Sequence, residues 1–128
     1  EYLASAIMDI KLHSEKPNSN PIKLEKTYLD KIGLTKAIYP RHNLAQFQHI
    51  FSGGGYASAY YSYMWSEMMD EDAYSAFAET GNIFDKETAK SFKKNILSKG
   101  GIKEPEILYK AFRKKLPDPQ ILIKSRNL

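Results

Sequence analysis

The sequence predicts an all-α chain, helices joined by short connections. Three observations carry that reading. Apolar residues recur at helical spacing over several stretches, and no stretch alternates apolar and polar residues as a half-buried strand does. Prolines, glycines and small polar residues fall between the periodic stretches, where helices start and stop. The 128 residues suffice for one hydrophobic core and are read as a single helical segment, 1–128, without internal repeat.

The elements follow in order. Residues 2–12 carry Leu3, Ile7 and Ile10 beside Ala4, Met8 and Leu12, a broad helical stripe. Residues 13–21 are rich in Pro, Asn and Ser and form a loop. Asn20 and Pro21 suit the cap and first turn of a second helix, which runs to Ile32 and stops at Gly33. Pro40 argues against helix at Tyr39, and residues 43–48 fit either a short helix or an extended piece. Gly53, Gly54 and Gly55 break the chain. Residues 56–79 then hold neither Gly nor Pro and predict a long central helix, about 36 Å, closed near Gly81. The run Asp70, Glu71, Asp72 marks a candidate kink within it. Asp85 suits the cap of a helix over 86–98 closed by Gly100, Glu104–Pro105 opens one to about Lys115, and Asp118–Pro119 opens a short last one through Ile123.

Composition excludes several classes. There is no cysteine, hence no disulfide, thiolate metal site or cysteine nucleophile. That fits a reducing compartment, the cytoplasm, with the periplasm as the alternative. No apolar run approaches the roughly 20 residues of a membrane span, and no signal peptide is visible. The first residue is Glu1, which fits a processed product or a piece of something longer. The net charge of +4 is uneven: residues 1–85 hold 7 Lys/Arg and 11 Asp/Glu, and residues 86–128 hold 12 and 4. The excess lysines are scattered along helical patterns and read as a solvated outer face, not a nucleic-acid patch.

The chemistry concentrates in residues 49–65, HIFSGGGYASAYYSYMW. Tyr56, Tyr60 and Tyr63 stand at i, i+4 and i+7, within an arc of about 60° on a helix. Such a row aims several phenolic donors at one side, suited to a developing oxyanion or a peptide backbone. Aromatic residues at this spacing are also the ordinary stuff of a core, a description that fits Tyr61, Met64, Trp65 and Met68 better. His49 stands just upstream and either lines a site with the tyrosines or packs beside Phe47 and Phe51. The glycines after Ser52 lack a Gly-Lys-Ser/Thr ending and a preceding strand, so they read as a hinge and not a phosphate loop. The three histidines, His13, His42 and His49, show neither a His-Glu-x-x-His motif nor any pair at helical ligand spacing, so no complete zinc site is expected here. His13 closes the first helix, and His42 follows Arg41 in a loop. Asp70, Glu71 and Asp72 point to different sides of a helix and read as a solvated acidic patch.

The segment HIF, then glycines, then GYASAYYSYMWSEMMDEDAYSAF resembles the C-terminal part of the thimet oligopeptidase and peptidyl-dipeptidase family of zinc metallopeptidases. EYLASAIMDIKLH resembles a helix upstream of that core. FDKETAKSFKKNILSKGGIKEPEILYKAFRKKLPDPQILIKSRNL resembles the family's end, with the closing Leu128. The resemblance implies a fragment or subdomain of a larger, mostly helical enzyme. Zinc in the full-length parent would be held by an upstream His-Glu-x-x-His helix with a Glu downstream of it, which together supply the zinc ligands and the general base. This chain would bind no zinc alone and would be inactive in isolation. By the same resemblance His49 lines the site, Tyr63 donates to the oxyanion, Tyr56 binds substrate backbone, Tyr60 shares their face, and Gly53, Gly54 and Gly55 form the substrate-recognition loop. The spacing from His49 to Tyr56 exceeds the family's pattern by one or two residues, which a glycine loop absorbs. The implied partners are short peptide substrates and the upstream part of the same polypeptide, with no nucleic acid and no membrane. Apolar faces left uncovered in the fragment favour self-association. The alternative reading is a non-catalytic helical module that binds a peptide or an acidic partner.

Overall fold

The computed structural model describes residues 1–16 and 20–127, so part of the predicted 13–21 loop and the closing Leu128 lie outside the described residues. Every regular element among the described residues is helical. The chain divides into two compact units, Glu1–Tyr63 and Met64–Leu128.

In the first unit, α1 (Tyr2–Ser14) and α2 (Pro21–Lys31) pack together and are followed by two 3-10 turns, Leu44–Gln46 and Gln48–Phe51. The predicted cap of α2 is present: Asn20 Oδ1 accepts from the Lys23 N–H at 2.9 Å, and Pro21 sits in the first turn. Residues 43–48, left open between helix and extended chain, are these short turns. They are held by packing and by Glu25, whose carboxylate accepts from the Leu44 N–H. α1 serves two apolar clusters. Ala6 packs with Phe47, Ile50 and Tyr60, and Met8 packs with Tyr28 and Leu44. Only part of the predicted stripe is inside: Leu3 and Ile10 are exposed, while Ser5 and Asp9 are buried among the small residues.

Asp9 is wholly buried, and its carboxylate reaches across the chain. Oδ1 accepts from the Ser58 N–H at 3.0 Å and Oδ2 from the Tyr60 N–H at 2.9 Å. The His13 Nδ1 stands 2.9 Å from the Asp9 carboxylate, so this histidine is engaged with α1 itself. These bonds explain a departure from the sequence reading. The helix predicted from Tyr56 begins at Ser62, as α3 (Ser62–Ala78). Ser58 has φ +59°, outside the right-handed helical region, and the N–H groups of Ser58 and Tyr60 are spent on Asp9 instead of on carbonyls four residues back. Tyr56, Tyr60 and Tyr63 therefore do not form a row on one helix.

Within the second unit, α3 continues without a break past Asp70, Glu71 and Asp72, so the predicted kink is absent. Nor is the whole run a solvated patch. Asp72 is 2 % exposed and is gripped from α5 (Pro105–Arg113). Arg113 Nε and the Tyr109 hydroxyl both donate to its Oδ2, at 2.9 and 2.7 Å. The same guanidinium donates to Glu79 and to the Ser75 hydroxyl. Between these helices lies α4 (Lys86–Phe92), capped by Asp85 Oδ1 on the Thr88 N–H at 2.7 Å and continued by a π turn, Lys93–Leu97. The predicted helix over 86–98 is thus α-helical only in its first half. α6 (Gln120–Ser125) closes the unit, with Asp118 accepting from the Gln120 N–H at 2.9 Å. Of the predicted second stripe, Met68 is buried while Tyr61 and Trp65 face out.

Burial alone would push the Asp72 carboxyl up, but hydrogen bonds from Arg113 and Tyr109 outweigh it and hold it below the usual carboxylate range. Hydrogen bonds from Arg113 likewise hold Glu79 down. A carboxyl depressed in the folded state stabilises above its unfolded value, about 3.9 for Asp, and that stabilisation is lost as pH falls through the lower folded value. Melting followed from pH 6 to pH 2 should therefore show an acid-side loss that is weaker in Asp72→Asn. Removing one partner of a buried pair strands the other, so Arg113→Met should cost about 3–5 kcal/mol in urea unfolding. Asp9→Ala leaves two backbone N–H groups without an acceptor; it should cost about 2–3 kcal/mol and accelerate hydrogen exchange at the Tyr60 amide.

Candidate functional site

A pocket of about 400 Å³ opens in the first unit, lined by Tyr2, Arg41, His42, His49, Tyr60 and Tyr63. Its walls come from the start of α1, the loop after α2, the second 3-10 turn and the turn that leads into α3. Asp9 fixes that last turn, so a buried carboxylate behind the pocket sets where Tyr60 stands and where Tyr63 begins its helix.

His49 is the hub of the arrangement. Its ring lies 5.0 Å from that of Tyr56, 5.9 Å from Tyr60 and 6.0 Å from Tyr63. Tyr63 Oη and His49 Nε2 are 3.3 Å apart, a hydrogen bond whose direction follows the imidazole tautomer. Of the two placements open to His49, the ring contacts are with the tyrosines; Phe47 is stacked instead by His42, at 4.6 Å, and Phe51 is met by His13. The three tyrosines thus gather around one imidazole although they share no helix. A turn brings Tyr56 and Tyr60 to it, and the first turn of α3 brings Tyr63.

Their environments differ. Tyr63 and Tyr56 are about half exposed, at 49 % and 48 %, while Tyr60 is 7 % exposed and set edge-on against Phe47 at 5.0 Å. Burial raises the Tyr60 phenol above its ordinary value, with Arg41 opposing, so it stays a neutral donor through the physiological range. Tyr60 is as much core as site. Gly53, Gly54 and Gly55 are exposed, and a Cβ at any of them would meet nothing within 4 Å. Only Gly53 needs to be glycine for its backbone, at φ +95°.

Sequence reasoning missed Arg41, His42 and Tyr2 as pocket residues and Asp9 as the support behind them. For Asp9 a signal existed: a lone carboxylate inside the apolar run LASAIMDI. For Arg41 and His42 nothing local distinguishes them from any polar loop pair. Among the described residues no group of three or more His, Cys, Asp or Glu side chains is placed to hold a metal ion. No helix among them is long and apolar enough to cross a membrane.

Comparison with known proteins gives a family. Oligopeptidase A of Escherichia coli is 42 % identical over 118 residues, which cover 90 % of this chain and 17 % of that protein. Dipeptidyl carboxypeptidase of the same organism is 34 % identical over 133 residues, all of this chain and 19 % of that protein. The organellar oligopeptidase A of Arabidopsis thaliana is 35 % identical over 133 residues, 98 % of this chain and 17 % of that protein. The chain therefore spans less than a fifth of the length of these relatives. The model of Peptidase family M3 matches residues 1–128, and the chain belongs to that family.

Proposed function

We propose that this chain is the substrate-binding and oxyanion-stabilising portion of a zinc-dependent oligopeptidase or peptidyl-dipeptidase that hydrolyses short peptides. The observation that carries the reading is the Tyr63–His49 pair, a phenol and an imidazole 3.3 Å apart in an open pocket, in a chain of this family. Zinc and the general base belong to the remainder of the longer polypeptide, and the isolated segment is inactive. Exposed apolar side chains such as Leu3, Trp65 and Phe84 then pack against that remainder, and in the isolated segment they promote self-association.

The geometry supports a division of labour. In the free site Tyr63 and His49 satisfy one another. A scissile carbonyl oxygen arriving between them accepts from the phenol O–H and from the imidazole N–H, and both bonds strengthen as the oxygen takes on charge. Tyr60, neutral and held by the core, fixes the imidazole plane by its edge-on contact. Tyr56 follows the open loop of Gly53, Gly54 and Gly55 and meets substrate backbone from there. The loop adjusts to peptides of different sequence because the space beside its glycines is open, with nothing within 4 Å of where a Cβ would stand.

In the full-length enzyme, removing one such donor lowers turnover by roughly 10²–10³. Tyr63→Phe should therefore cut kcat by that order with a modest change in KM, measured on an internally quenched peptide. Near wild-type turnover in Tyr63→Phe would reject the assigned role.

A further inference from the structure

Behind the Tyr63–His49 pair stands a histidine that is not part of the pocket wall. His13 lies near the end of α1. Its Nδ1 is 2.9 Å from the Asp9 carbonyl oxygen and 2.9 Å from Asp9 Oδ1. Both are acceptors, so the neutral ring carries its proton on Nδ1 and donates there, and the charged ring does the same. The same Oδ1 accepts from the Ser58 N–H, and Oδ2 accepts from the Tyr60 N–H. The Asp9 side chain has no exposed surface, while that of His13 keeps 22 %. The imidazole thus stands between a buried carboxylate and solvent, in the place that water would otherwise take.

The ring also meets Phe51, centroid to centroid at 5.7 Å and tilted by 50°. Phe51 closes the 3-10 turn Gln48–Phe51 that carries His49. His13 therefore touches the supports of both donors: the turn of His49 directly, and the turn before Tyr63 through Asp9. Those two stretches lie on opposite sides of the glycine loop, and their relative placement sets the 3.3 Å between Tyr63 Oη and His49 Nε2. We infer that His13 is a positioning residue of the oxyanion site, fixing the two donors at the separation that a carbonyl oxygen needs. The inference rests on the peptidase reading above and adds a residue outside the pocket on which its rate depends. Without the Nδ1 donor, Asp9 Oδ1 keeps one backbone partner in a site closed to solvent. A buried carboxylate short of a donor draws in water or takes up a proton, and its grip on the turn loosens. The donors are then misplaced for the transition state, while ground-state binding changes little.

The test uses the full-length enzyme and two amide substitutions that differ in where the donor sits. In His13→Asn the amide nitrogen stands where Nδ1 stood; in His13→Gln it stands where Nε2 stood, beyond the carboxylate. On an internally quenched peptide His13→Asn should keep the wild-type kcat. His13→Gln should lose roughly tenfold to 100-fold in kcat, the scale of a 1 Å misplacement, with KM little changed. That loss should shrink in a Tyr63→Phe background, because His13 acts through that donor. Amide exchange at Tyr60 reads the same link without catalysis, and should be faster in His13→Gln and unchanged in His13→Asn. The inference is overturned by wild-type kcat in His13→Gln, by an equal fall in His13→Asn, by a loss undiminished when Tyr63 is already replaced, or by equal Tyr60 protection in both variants. Where His13→Gln fails to fold, His13→Asn decides: wild-type kcat and Tyr60 protection support the inference, and loss of either overturns it. Tyr63→Phe alone keeps the two readings apart. A full drop there, with any of the overturning results, removes His13 and leaves the oxyanion role standing; near wild-type turnover there removes both.

Discussion

The carboxylate of Asp9 is the constraint on which the candidate site depends. It is buried without a cation from a distant element, and it grips backbone instead of side chains. A buried anion is costly unless its lone pairs are satisfied, and two peptide N–H groups with the neighbouring His13 satisfy them here. In return the turn before α3 is held in a conformation that its own sequence disfavours, including Ser58 in the left-handed region. Tyr60 enters the core from that turn, and Tyr63 follows in the first turn of the helix.

What the sequence made legible is what local chemistry decides. The Asn20 and Asp85 caps, the proline at the start of α2 and the all-helical class all depend on residues within four positions of each other, and each is present. What it concealed depends on partners far along the chain. The start of α3 is set by a residue 49 to 51 positions upstream, and Asp72 is buried because Arg113, 41 positions later, reaches it. A period of 3.6 residues placed three tyrosines on one face. The fold also brings them to His49, but through a turn and a helix start. The alternation of Tyr60 and Tyr61 between core and surface was likewise invisible, because it depends on the direction of that turn.

Both units keep an acidic side chain at the centre of a polar lock, and the two locks work differently. Asp9 meets backbone donors and so fixes the path of the chain. Asp72 meets a guanidinium and a phenol and so fixes which faces of α3 and α5 meet. Its partners are rigid planar groups that accept little misalignment, which suits a small unit whose apolar surface is largely outside. The burial that raises the Tyr109 phenol and the hydrogen bonds that raise the Arg113 guanidinium keep the cluster in a single protonation state across the physiological range.

The glycine loop acquires a different meaning beside the Asp9 anchor. One end of the loop is the 3-10 turn that carries His49, whose core residue is Ile50; the other end is pinned just past Tyr56. Between those two fixed points a Cβ added at any of the three glycines would meet nothing within 4 Å. Length can be gained or lost in that span while the pocket behind it keeps its shape. The segment is therefore a natural seam for evolutionary drift, where the reach of Tyr56 is tuned separately from the donors that it serves.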